Sequence, residues 1–293
     1  MIEGFTEQHI RLPDDITLRL AIAGDGPPVL LLHGYPQTYM CWHKVAPELV
    51  RQGFTVVAPD LRGYGDSSKP DGGPDHAGYA KRAMAADQVT LMRQLGFAQF
   101  DLVGHDRGGR VAHRLALDHP AAVRRWAVLD IAPTATMYER TDRAFATAYY
   151  HWFFLIQPAP LPERLIGADP EFWLRRKLSL WSRGNDQVFS EPAMSDYLRW
   201  FEDPATIHAS CEDYRAAASI DLEHDALDIG RKVAAPLLAL WGSKGTVGRL
   251  YDVLATWRDK TESVIGGPLP CGHFLPEECP EQTLAALLPF LQE

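Results

Sequence analysis

Five consecutive residues, Gly104-His105-Asp106-Arg107-Gly108, have the types and spacing of a reactive turn. They follow the apolar run Phe100 to Val103 and precede a helical pattern, Arg110 to Leu117. A strand, a sharp turn and a helix, with small residues two positions either side of the central one, make the geometry of a nucleophile elbow; only glycine or a similarly small residue fits at its flanks. The exposed residue at such a turn is normally a serine that attacks carbonyl carbon. Here it is Asp106. A carboxylate suits displacement at saturated carbon, which leaves an ester on the protein for water to cleave. The motif thus points to dehalogenation or epoxide opening. By itself it would equally suit an aspartate that caps a helix.

An ester intermediate needs a base to activate water. His273, in Leu269-Pro270-Cys271-Gly272-His273-Phe274, follows the last strand pattern and precedes the C-terminal helix, where such a base belongs. The histidine needs an orienting carboxylate. The loop after the strand pattern Pro236 to Trp241 reads Gly242-Ser243-Lys244-Gly245-Thr246-Val247 and contains no acid. The role falls to Asp130, which ends Trp126-Ala127-Val128-Leu129-Asp130. His33-Gly34-Tyr35-Pro36 follows the first central strand, so the backbone N–H groups of Tyr35 and Arg107 are the expected oxyanion hole. Arg107 and Arg110 stand one and four positions after Asp106, an i, i+3 pair on one helix face beside the carboxylate. Burying two guanidinium groups there is costly unless anions meet them. Asp106 is one such anion; a substrate carboxylate, held by charge-assisted bonds, is the expected other.

These residues must be carried by a sheet. Phe5 to Leu12 and Ile16 to Ala23 read as a β-hairpin about Pro13-Asp14-Asp15. Strand patterns at Pro28–Leu32, Phe54–Ala58, Phe100–Val103, Trp126–Asp130, Pro236–Trp241 and Ser263–Ile265 alternate with helical ones at Trp42–Arg51, Tyr79–Leu95, Arg110–Asp118, Gly248–Trp257 and Pro280–Leu291. Alternation with apolar strands means an α/β chain with a mainly parallel sheet covered on both faces. Residues 133–225 break the rhythm: no strand pattern, many aromatics, and a Pro158-Ala159-Pro160-Leu161-Pro162 interruption. They read as a helical cap over the carboxyl ends of the strands. The expected organisation is a core of 1–132 and 226–293 with the cap 133–225 between.

At 293 residues the chain is one large domain or a domain with an insertion. A net charge of −9 argues against nucleic acid or an anionic membrane as partner. Cys41, Cys211, Cys271 and Cys279 form no CxxC pair, and their spacing relative to His273 fits no common zinc pattern, so no metal is expected. The N-terminus lacks a secretory pattern and no stretch is apolar enough to span a bilayer, so a cytoplasmic setting is the expectation.

The motifs together resemble those of the fluoroacetate (haloacetate) dehalogenases of the α/β-hydrolase superfamily, over essentially the whole chain. The segments that carry the resemblance are His33-Gly34-Tyr35-Pro36-Gln37, Asp60-Leu61-Arg62-Gly63-Tyr64-Gly65, Gly104-His105-Asp106-Arg107-Gly108-Gly109-Arg110, Leu129-Asp130-Ile131 and the segment about His273. The resemblance implies an α/β-hydrolase fold with a helical cap inserted after the sixth strand, no cofactor, and a homodimer. It implies Asp106 as nucleophile, Asp130 and His273 as the hydrolytic pair, and Arg107 and Arg110 as the carboxylate clamp. It also implies His151, Trp152 and Tyr214 as the halide-holding cap residues and Trp181 as a pocket wall. Phe is usual in that family where Tyr35 stands, a change of little consequence to a backbone donor. The same Asp nucleophile also serves epoxide hydrolases, which use cap tyrosines, and Tyr149, Tyr150, Tyr197 and Tyr214 are available. A ligand receptor with vestigial catalysis is the reading from a different class.

Overall fold

A computed structural model describes residues 1–293 of the protein. Eight strands form one sheet: β1 Thr6–Arg11, β2 Thr17–Ala23, β3 Pro28–Leu32, β4 Thr55–Pro59, β5 Phe100–His105, β6 Val123–Leu129, β7 Leu237–Gly242 and β8 Val264–Leu269. Their spatial order is β1-β2-β4-β3-β5-β6-β7-β8. β1 and β2 form the antiparallel hairpin, β2 runs antiparallel to β4, and the rest are parallel. β4 and β5 are buried throughout, because helices cover both faces of the sheet. β8 lies at the edge, half exposed, where its Gly266-Gly267-Pro268 run is tolerated.

The core helices before the insertion are α1 Ala46–Arg51, α2 Lys81–Gln94 and α3 Arg107–Asp118. Between β6 and β7 the chain is helical: α4 Thr134–Glu139, α5 Arg143–Ala148, α6 Tyr150–Leu155, α7 Leu161–Gly167, α8 Pro170–Trp181, α9 Glu191–Phe201, α10 Pro204–Ala218 and α11 Ile220–Leu227. After β7 come α12 Val247–Leu250, α13 Val253–Arg258, α14 Leu275–Glu278 and α15 Pro280–Gln292. No helix is long and apolar enough to cross a membrane.

Two expected helices are broken. The Trp42–Arg51 pattern begins as a 3-10 turn, Tyr39–Trp42, and α1 starts only at Ala46; Pro47, which cannot donate an amide bond, fits only in a first turn. The Gly248–Trp257 pattern is interrupted at Tyr251, which is extended. Asp252 then caps α13 by accepting the Ala255 N–H at 3.0 Å.

Register delivers the functional residues to one edge. Leu32 pairs with Gly104, His105 with Leu129, Leu129 with Leu240, and Gly242 with Leu269. The residues that follow these strands therefore emerge together at the carboxyl ends, where open α/β sheets bind ligands. The apolar core runs without a break from the sheet into the insertion. Leu155, Ile166, Leu174 and Phe201 belong to the same packed cluster as Leu30, Val103 and Leu129. Burial of this kind stabilises by about 25 cal/mol per Å² of apolar surface, so the helices over the sheet are held by a shared core.

Candidate active site

Asp106 joins β5 to α3 with φ 46° and ψ −114°. A non-glycine residue in such a conformation costs on the order of 1–3 kcal/mol and persists only where its surroundings enforce it. They do so here by close packing. A Cβ on Gly104 would come within 2.5 Å of Gly108 O, and one on Gly108 would strike the Leu32 and His33 carbonyls. The crossing of β5, α3 and the loop after β3 thus requires both glycines and pushes Asp106 out at the turn.

The Asp106 carboxylate is held from two sides. Oδ1 accepts the Tyr35 N–H at 3.0 Å, and Oδ2 lies 4.0 Å from His273 Nε2. Arg107 is the first residue of α3, so its amide has no intrahelical acceptor. Burial disfavours the charge of Asp106, but His273, Arg110, His105 and Arg107 outweigh it and hold the carboxyl below the usual carboxylate range.

His273 Nδ1 and Asp130 Oδ2 are 2.6 Å apart. The other Asp130 oxygen accepts the Gly242 N–H at 2.9 Å, which ties the acid at the end of β6 to the end of β7. Burial works against a charged His273, yet the bond to Asp130 and the charges of Asp130 and Asp106 raise its pKa above the ordinary histidine value. This orientation leaves Nε2 facing Asp106. His105 supports the arrangement: its Nε2 lies 2.8 Å from His273 O, the geometry of a donated hydrogen bond. Burial and the neighbouring His273 push the His105 pKa down to about 3, so it stays neutral.

The two arginines differ. Arg107 donates from Nε and Nη2 to the Asp213 carboxylate at 2.9 and 2.7 Å, and from Nη2 to Asp213 O at 2.8 Å; Nη1 is buried without a partner. Asp213 also pairs with Lys81 and accepts the Tyr64 hydroxyl at 2.7 Å. Arg110 meets no carboxylate. Its Nη1 donates to Ala132 O at 3.2 Å and Thr134 Oγ1 at 2.9 Å, its Nη2 reaches Met137 Sδ at 3.3 Å, and its Nε is buried and unpartnered. Burial first, then repulsion from Arg107, lowers its pKa.

The cap side is aromatic. Arg107 lies 4.2 Å from the Tyr214 ring and Arg110 4.7 Å from that of Trp152. His151 is 4.7 Å from Trp181 and 5.5 Å from Tyr214, ring to ring, and Tyr214 is 6.3 Å from Trp152. Trp181 in turn lies 5.4 Å from His273, so these side chains and the Asp106–His273 pair share one space. Burial, then the charge of Lys177, keeps His151 well below its usual pKa, hence neutral. Outside Trp181 a cavity of about 440 Å³ carries Arg143, Arg183 and Arg249 on its wall.

Every residue expected from the sequence lies in this region. Several that belong to it were not expected: Asp213, Lys81 and Tyr64 around Arg107, His105 behind His273, and Lys177 behind His151. Tyr for Phe at position 35 matters little to a backbone donor, and what it does to the pocket was open from the sequence: its ring stacks over His151 at 6.4 Å and its hydroxyl accepts the Trp173 Nε1–H at 2.6 Å. The one available signal for Asp213 was the need of a buried arginine for an acid.

The chain matches the family described as alpha/beta hydrolase fold over residues 27–280, and it belongs to that family. It is 47% identical to a fluoroacetate dehalogenase from Burkholderia sp over 293 residues, 100% of this chain and 96% of that one. It is 35% identical to a soluble epoxide hydrolase from Corynebacterium sp. (strain C12) over 285 residues, 96% of each. Among solved structures, an α/β hydrolase from Nostoc sp PCC 7120 superimposes with a TM-score of 0.98 at 58% identity, over 100% of both chains. Fold and relatives together make this a hydrolase of the dehalogenase and epoxide-hydrolase type, acting on carbon–halide or related bonds.

Proposed function

We propose that the protein hydrolyses small 2-haloacids, haloacetate and fluoroacetate among them, to the 2-hydroxy acid and halide. Arg110 carries this reading. A buried guanidinium with no carboxylate partner, one helical turn from the nucleophile, calls for an anion from outside. A free Arg107 Nη1 beside it completes a fork for a carboxylate. A neutral epoxide would leave both unanswered.

In the proposed reaction Arg107 and Arg110 hold the substrate carboxylate. Asp106 Oδ2 attacks Cα in line, the carbon–halogen bond breaks, and halide leaves with the electron pair toward His151, Trp152 and Tyr214. Neutral imidazole, indole and phenol can each donate a hydrogen bond as charge develops. The product is an ester at Oδ2, with Oδ1 already at the Tyr35 N–H. His273 Nε2 then takes a proton from water in the space between it and Asp106, and the resulting hydroxide attacks the Asp106 carbonyl carbon. The amides of Tyr35 and Arg107 stabilise the oxyanion. Collapse expels the hydroxy acid oxygen, which takes the proton from His273, while Asp130 holds the imidazolium; Asp106, left as the carboxylic acid, loses its remaining proton to solvent and is again the carboxylate. The alternative, epoxide opening, draws support from the Corynebacterium relative and from the buried Tyr149 and Tyr214.

The test measures fluoride from fluoroacetate and chloride from chloroacetate beside turnover of a neutral epoxide, with Asp106→Asn as control. Halide release that depends on Asp106 is the expected result; epoxide turnover without halide release overturns the proposal.

A further inference from the structure

Lys177 on α8 is fully buried, and its Nζ has no hydrogen-bond partner. It makes no ion pair with a carboxylate; aromatic rings surround it instead. Nζ lies 3.7 Å from the Tyr150 ring, 4.4 Å from Trp173 and 5.6 Å from Trp181. Cation–π attraction offsets part of the cost of burying an ammonium, but a solvated lysine would avoid that cost altogether. The cage is also the back wall of the aromatic site. Trp181 faces His151, Trp173 binds the Tyr35 hydroxyl, and Tyr35 stacks on His151. The titratable and charged groups near the ammonium are Tyr150 and His151 of α6, Tyr35 through Trp173, and Arg176 of its own helix; none is an acid that would neutralise it at neutral pH.

From this juxtaposition we infer that Lys177 is a positioning residue for the departing halide: a buried positive charge, one aromatic layer behind His151, that draws the anion into the cap pocket. The inference rests on the dehalogenase reading for its ligand. Burial, then Arg176, lowers the Lys177 pKa to about 7, so a nearby anion would favour its charged form. The ring-to-ring steps through Trp181 place the ammonium within about 10 Å of His151. A halide on the far side of His151 lies somewhat beyond this, and at about 10–14 Å a unit charge in a partly screened interior changes anion affinity roughly sevenfold to fifteenfold. Such an effect is insensitive to ion radius, unlike direct donation from His151, Trp152 and Tyr214.

The experiment titrates the full-length protein with chloride and bromide at constant ionic strength, following quenching of tryptophan fluorescence, and measures haloacetate turnover beside it. Lys177→Met and Lys177→Gln both delete the charge, and whichever keeps the wild-type near-UV spectrum is used. The expected result is a roughly tenfold loss of affinity for both halides by the same factor, largely restored in Lys177→Arg. Unchanged halide affinity, or a loss that Lys177→Arg shares, overturns the inference. A wild type that binds halide with this dependence on Lys177 but frees none from haloacids would instead refute the dehalogenase reading and leave the anion site standing.

Discussion

Replacing Arg110 with Met should cut haloacid kcat/KM by about 10²–10³-fold and yet cost the fold little. The guanidinium has two hydrogen bonds to oxygen, at Ala132 O and Thr134 Oγ1, and a weak one to Met137 Sδ. Donated by a charged group, the two to oxygen contribute about 1.5–3 kcal/mol each. Against them stands the desolvation of a cation with no counter-carboxylate and an unpartnered Nε, a cost of several kcal/mol. Methionine would fill the space over Trp152 without that penalty. These contributions nearly cancel, so Arg110→Met should change stability by no more than about 1 kcal/mol, a melting shift within roughly 2–4 °C in a chain of this size. The same change removes charge-assisted bonds to the substrate carboxylate worth about 3–4 kcal/mol in all, or a loss of about 10²–10³-fold in kcat/KM.

Arg107→Met, three residues away, sets the contrast. It strands the buried Asp213, which keeps only Lys81 and Tyr64, and should destabilise by about 3–5 kcal/mol. Calorimetric melting of both variants and kcat/KM for chloroacetate form the assay. If Arg110→Met melts as far below the wild type as Arg107→Met, or keeps chloroacetate kcat/KM within threefold, an external anion is not what Arg110 is there to meet.

Two further outcomes concern the order of the chemical steps. His273→Asn, exposed to chloroacetate, should carry the mass of a carboxymethyl ester on Asp106 and release one equivalent of chloride; an unmodified protein after that exposure would exclude the two-step scheme. The pH profile should split the two half-reactions. Asp106 is held below the usual carboxylate range, so its attack persists into acid. His273 is raised above the ordinary value of about 6.5, so hydrolysis fails first as pH falls through that raised value. Mass spectrometry of protein quenched in turnover should therefore find the ester accumulating on the acidic side; ester at its highest in alkali would contradict the assignment of the base.

The sequence made the sheet and the nucleophilic turn legible for a local reason. Apolar runs buried on both faces and glycines two residues either side of Asp106 are requirements of a short stretch of backbone, and they leave a local mark. Asp130 was legible by elimination, since the loop after β7 has no acid, and it stands 2.6 Å from His273. Asp213 left no such mark. It lies 106 residues from Arg107, on a different element, and only the folding of α10 onto α3 brings the two together. Lys177 is the same case: its spacing is that of any surface lysine on an amphipathic helix, and nothing local says that Tyr150, Trp173 and Trp181 will enclose it. The broken helices after Trp42 and Gly248 are the opposite case: the apolar periodicity continues across Pro47 and Asp252, although both are local stop or start signals.

What the fold adds to the motif is therefore a distribution of charge. Around Asp106 the sequence offers two arginines that look alike, one and four positions on. The cap makes them unlike by supplying an acid to one and withholding it from the other. Arg107 is largely neutralised by Asp213, which makes it a strut between the cap and the elbow with one nitrogen to spare. Arg110 keeps its charge unanswered. Substrate choice on this reading does not reside in the nucleophile, which serves halides and epoxides alike, but in which buried cations the cap leaves unpaired. Arg110 at the proposed carboxylate end is one such cation, and Lys177, one aromatic layer behind His151, is the other when it carries its proton.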